Sequence, residues 1–142
     1  MKKISIVLLT LLFIGNINGQ SDINESEIKT ALNKLFEMSK NKNYDVAALL
    51  MVYNGNNSAR RLKDSFNPKD DLELKEVKRN CKKISAYLDL SDSFEYDQFI
   101  INTYEGLPVS TVKINFLSGN QILKISFSFI KVNNKILLLN LK

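Results

Sequence analysis

Residues 109–141, VSTVKINFLSGNQILKISFSFIKVNNKILLLNL, decide the fold, because they read as three consecutive antiparallel strands. Val112, Ile114 and Phe116 alternate with Thr111, Lys113 and Asn115, and beyond a turn at Ser118-Gly119-Asn120-Gln121 the apolar Leu123, Ile125, Phe127 and Phe129 alternate with Lys124, Ser126 and Ser128. Successive side chains of a strand point to opposite faces, so each series lies on one side. With Gly119-Asn120 as a two-residue loop, Phe116 pairs with Leu123, Ile114 with Ile125 and Val112 with Phe127, which puts all the apolar side chains on the same face. Asn133 and Asn134 tolerate positive φ and mark the next turn. A three-residue loop through Lys135 sets Phe129 opposite Leu139 and Phe127 opposite Leu141. The upstream chain must cover this face.

In that register Ile130, Val132, Ile136 and Leu138 cluster on the opposite face, an interface patch expected to meet a second copy of the chain, a protein partner or a local covering segment. Residues 94–104 read as a preceding strand that returns through Glu105-Gly106-Leu107-Pro108, with Phe99 and Ile101 on the side of Val112 and Ile114. If that strand is regular, Asp97 turns towards the covered side, where a desolvated carboxylate can serve as a base or ligand contact. A bulge there leaves it in water.

The helical half precedes the sheet. Asp22 and Glu25 fit a capping box, and Ile28, Ala31, Leu32, Leu35 and Phe36 follow at helical spacing, predicting a helix over 22–40 that stops at Asn41-Lys42-Asn43. Tyr44 to Tyr53 is apolar all round, which means a buried helix or a buried strand, and its two alanines favour helix. Ser58 is placed to cap a short helix with Ala59, Leu62 and Phe66 on one face, before Asn67-Pro68. Asp70 and Glu73 form a second capping box, and Leu74, Val77, Cys81, Ile84 and Leu88 predict a helix over 70–88. Cys81 lies in its apolar seam and reads as a small core residue. Lys75, Lys78, Arg79, Lys82 and Lys83 form a basic face, either simply solvated or able to grip an anionic polymer.

At the start, Lys2 and Lys3 precede the apolar run Ile6 to Ile14, and Gly15, Asn16, Asn18 and Gly19 follow, the layout of a secretory signal peptide over residues 1–19. The run is short for a membrane span, so the expected product is a periplasmic or secreted single domain, residues 20–142, with no stable membrane anchor. The formal charge of +5 falls to +3 once Lys2 and Lys3 leave, which gives no argument for nucleic acid as a partner. One cysteine cannot make an internal disulfide, and the lack of histidine excludes His-based triads and His-ligated metal sites. No cofactor or metal is expected.

Helices followed by a long-stranded meander give an α+β domain with helices on the concave face of a curved antiparallel sheet of three to four strands. That order, the apolar Val46-to-Tyr53 run into Asn54-Gly55, the segment Ala59-Arg60-Arg61-Leu62-Lys63-Asp64 and the pattern from Lys124 to Ile136 resemble small exported bacterial members of the NTF2-like (cone-shaped α+β) superfamily. The resemblance implies a pocket between helices and sheet. The superfamily includes isomerase- and dehydratase-like enzymes with an Asp or His base; no position here matches such a motif, and Asp97 with Tyr44 or Tyr53 is the set that general chemistry offers. It also includes non-enzymatic binding modules that hold a small apolar ligand or a partner, and this is the reading we carry forward.

Overall fold

The computed structural model describes residues 23–142. The expected signal peptide, its cleavage point and Asp22 lie outside the described residues. Three helices, α1 (Glu25–Lys40), α2 (Tyr44–Ala48) and α3 (Asp71–Asp89), precede four strands, β1 (Ser93–Tyr104), β2 (Leu107–Ser118), β3 (Gln121–Val132) and β4 (Lys135–Leu141). The strands form one antiparallel sheet in sequential order. This is the expected α+β arrangement, and bulges in β1 and β4 bend the sheet around the helices.

The helix termini follow local chemistry, with two changes from the sequence expectation. Asn24, rather than Asp22, caps α1: its side chain accepts the Glu27 N–H while the Glu27 carboxylate accepts the Asn24 N–H, a complete capping box two residues further on. Asp70 caps α3 through the N–H groups of Leu72 and Glu73, but Glu73 does not reciprocate. Its carboxylate is taken by Arg60 and the Asn67 N–H instead. Ile28, Leu32, Leu35 and Phe36 of α1 and Val77, Cys81 and Ile84 of α3 are buried against Val112, Ile114, Phe116, Phe127 and Phe129. Phe36 joins this core through ring contacts to Phe94, Phe116 and Phe127 at 5.3–6.2 Å.

The Tyr44–Tyr53 run is half helix and half strand. Asn43 caps the single turn of α2, and the backbone then straightens so that Leu50 and Val52 bond Leu138, laying this segment parallel along the outer edge of β4. Residues 53–65 form an arm that doubles back, with Val52 bridging Ser65 and Tyr53 bonded to Leu62 and Asp64. The expected Ser58-capped helix is absent: Asn57 is the residue whose side chain accepts the Ala59 N–H, the chain runs in turns, and Leu62 takes φ +59. A left-handed leucine cannot continue a helix.

The β2–β3 register is the expected one, with Phe116 opposite Leu123, Ile114 opposite Ile125 and Val112 opposite Phe127. The β3–β4 turn differs: Asn133 and Asn134, at φ +49 and +60, form a two-residue loop, so Phe129 faces Leu138 rather than Leu139. A bulge at Leu139 restores Phe127 opposite Leu141. The interface patch changes accordingly. Leu138 and Ile136 belong to the helix-side core, whereas Ile130 and Val132 join Leu137, Leu139 and Val109 on the outer face. There the arm lies over them, supplying Leu62, with Val52 just before it in the chain. The sequence allowed a second copy, a partner or a local segment on this patch, and the structure puts the chain's own arm there.

Candidate functional site

The space between helices and sheet is occupied by the protein itself: Phe116, Phe127, Phe129, Val77 and Ile84 are all essentially inaccessible to solvent. An apolar opening lies beside it, a groove of about 570 Å³ between α1, α2 and the β3–β4 hairpin. One wall is the ridge of α1 carrying Ser26, Thr30 and Lys34 at four-residue spacing, with Glu27 and Ala31 beside it. The other side is Val46, Leu49 and Leu50 at the end of α2, and the hairpin closes the groove with Ile136 and Leu137. Leu49 is 46% exposed, unusual for a leucine flanked by core residues. It stands out because the chain leaves α2 at this residue to reach β4, so no further helical turn covers it.

The polar groups at the rim are unequal. The Glu27 carboxylate is held by the α1 N-terminus, where it accepts the Asn24 N–H. Lys34 and Lys135 engage in none of the ion pairs seen among the described residues. The groove thus joins an apolar floor to two lysines outside those ion pairs and one carboxylate turned to the helix N-terminus, an arrangement suited to an amphiphile with a negative head. Ile136, placed by sequence on an interface patch, is here a half-buried part of the groove floor.

The other residues singled out by sequence go to separate places. Asp97 sits at the β1 bulge and is exposed, because the register slips between Tyr96 and Gln98. Tyr44 lies under the Lys78 ammonium, 5.7 Å from the ring centroid. Tyr53 folds over Gly55 so closely that a β-carbon there would lie 2.5 Å from its hydroxyl, which accepts the Asn57 N–H. Its ring meets Phe66 edge to face and lies under the Arg60 guanidinium, 4.5 Å from the ring centroid. These three residues are not brought together. The basic face of α3 is exposed at Lys75, Lys78, Arg79, Lys82 and Lys83, with Arg79 paired to Glu76 in its midst.

Two charged forks hold the arm in place. Arg60 grips Glu73 with both terminal nitrogens at 2.5 and 3.2 Å and donates to the Ser65 carbonyl. The Arg60 bonds, outweighing partial burial, hold the Glu73 carboxyl below the usual carboxylate range. Arg61 forks onto Glu105 in the β1–β2 turn, so the arm spans the outer face of the sheet from the β4 edge to the opposite hairpin. Inside, burial pushes the Cys81 thiol upward, as expected of a core cysteine.

No family model matches the sequence, and no curated protein matches it. Among solved structures, the chain is similar to one titled Rd1NTF2_05, which carries five named substitutions: the two are 12% identical with a TM-score of 0.48, over 84% of this chain and 98% of that one.

Proposed function

We propose that this protein is an exported, non-catalytic binding module that holds the hydrocarbon part of a small anionic amphiphile in the α1–α2–hairpin groove. The observation that carries this reading is the pairing of a half-exposed Leu49 on an apolar floor with Lys34 and Lys135 at the rim, neither of them ion-paired among the described residues. The filled space beneath the sheet supports a ligand in the groove rather than in the cone. An enzyme reading built on Asp97 draws no support from a carboxylate that is exposed and separated from both Tyr44 and Tyr53. Binding an anionic polymer through α3 is weakened by Glu76 within its basic face.

Calorimetric titration with decanoate, decanol and decylammonium tests the proposal. One equivalent of decanoate should bind, decanol more weakly, and decylammonium weakest, because burial of each methylene is worth about 0.8 kcal/mol for all three while only the carboxylate meets the lysines. Equal affinities for decanoate and decylammonium would refute the assignment. Export is tested separately by mass spectrometry of the protein recovered from the periplasm or medium, where the expected N-terminus is Gln20.

A further inference from the structure

The two edges of the sheet are treated differently. Leu50–Val52 pairs along β4, whereas among the described residues nothing pairs along the outer edge of β1. Natural proteins protect such an edge with lysine, proline or a bulge. β1 has its bulge and its only charges, Glu95 and Asp97, in its first half, and from Gln98 to Tyr104 it reads Gln-Phe-Ile-Ile-Asn-Thr-Tyr, with no charge, proline or glycine. Ile101, in the middle of that stretch, is 55% exposed.

The geometry points to this edge as the site where a second copy of the chain adds, antiparallel and centred on Ile101. The Glu105-Gly106 turn is a two-residue loop with both φ values positive, and its flanking pair Tyr104–Leu107 is therefore a hydrogen-bonded pair. Alternation then directs the backbone groups of Asn102, Ile100 and Gln98 at β2 and those of Thr103, Ile101 and Phe99 away from it. The outward set is symmetric about Ile101. A two-fold axis there pairs Ile101 with its twin and Phe99 with the partner's Thr103, forming roughly six interchain hydrogen bonds.

The side chains agree with that axis. Ile101 shares the helix-side face with Phe99, so the twin isoleucines meet on that face and remove their exposed surface from water. Pairing ends at Gln98 opposite Tyr104, bounded by the bulge at one end and the turn at the other. Asp97 is left near the partner's Glu105, whose charge Arg61 of the same protomer already neutralises. Seven residues a side make a small interface, so the dimer is a weak one. A second copy is a fitting occupant because the charge-free stretch, centred on the exposed Ile101, meets its twin with no like charges opposed within the paired residues.

Sedimentation of the purified protein from micromolar to millimolar concentration tests the inference, alongside Ile101→Lys and Ile101→Val. The parent and Ile101→Val should dimerise with rising concentration, and Ile101→Lys should weaken association by about tenfold or more through two facing ammonium groups. Circular dichroism melts confirm folding of each variant, the residue being exposed. Hydrogen exchange reads the register directly: amides of Phe99, Ile101 and Thr103 gain protection with concentration, while those of Ile100 and Asn102 are protected throughout. A parent that stays monomeric at millimolar concentration, an Ile101→Lys variant that dimerises as the parent does, or protection without this alternation each overturns it. Decanoate saturation leaves the dimer unchanged, so failure of the groove assignment is read independently.

Discussion

Replacing Leu49 by alanine separates specific binding in the groove from general surface hydrophobicity. Complete burial of a leucine side chain is worth about 1.5–3 kcal/mol, and Leu49 still exposes 46% of its surface. A ligand that closes the groove withdraws that remainder, so Leu49→Ala forfeits about 1 kcal/mol of binding, or roughly fivefold in Kd. The control is Leu123→Ala. Leu123 is exposed to 48% and lines a different cleft, with Tyr87 and Leu90 at the far end of α3, so its loss removes as much apolar surface without touching the groove. Decanoate affinity is measured by calorimetry for the parent and both variants, with thermal melts as the check on folding. The expected result is a fivefold loss for Leu49→Ala and none for Leu123→Ala. Equal losses, or no loss at Leu49, refute the reasoning, since the ligand would then be held elsewhere or by unspecific adsorption.

Other consequences concern stability. Glu73 is more acidic in the folded protein than its ordinary value of 4.5, so its contribution is complete above that pH and is lost as pH falls through the depressed folded value. Urea denaturation should show about 1–2 kcal/mol lost through that acid range in the parent and a flatter profile in Glu73→Gln, and identical profiles would contradict the Arg60 fork as the cause. At the second position of the β3–β4 turn, Asn134→Gly should stabilise by about 0.5 kcal/mol and Asn134→Ala destabilise by about 1 kcal/mol, because φ is +60 there. Alanine proving as stable as glycine in the same denaturation assay would rule out the two-residue turn. Cys81 should react with a thiol reagent only at the rate of unfolding, and rapid labelling of the native protein would show that the α1–α3 seam opens.

How much of this could be read from sequence depends on how one-sided each segment is. The β2–β3 hairpin was legible because each strand has one apolar and one polar face, so a slip of one residue would expose the whole core set. β4 carries no such information: Ile136, Leu137, Leu138 and Leu139 are consecutive and apolar, and the structure covers both of its faces, with the helix-side core on one and the arm on the other. Either turn length satisfied the pattern, and the longer one put Ile136 and Leu138 on the wrong side. The Tyr44–Tyr53 run has the same ambiguity, being apolar in every direction because its first half packs under α3 and its second half lies along β4. The groove was hidden for a different reason. Its lining comes from three segments far apart in sequence, and Leu49 differs from its buried neighbours only in where the chain turns.

The arm connects these observations. Leu62 occupies a left-handed conformation that costs a side-chain-bearing residue about 1–2 kcal/mol, a penalty sustained only where surrounding contacts outweigh it. Here the contacts are the burial of Leu62 against Val109, Ile130, Val132, Leu137 and Leu139, with Arg60 and Arg61 anchoring the flanks to Glu73 and Glu105. Covering this patch internally closes the outer face at the β4 side, and the residues leading into the arm, Leu50 and Val52, close the β4 edge. The proposed association therefore falls not at Ile130 and Val132 but at the opposite edge, where, among the described residues, Gln98 to Tyr104 has neither a covering segment nor a charge. The groove lies on the β4 side of the molecule, so the proposed ligand site and the proposed strand addition use surfaces that do not compete.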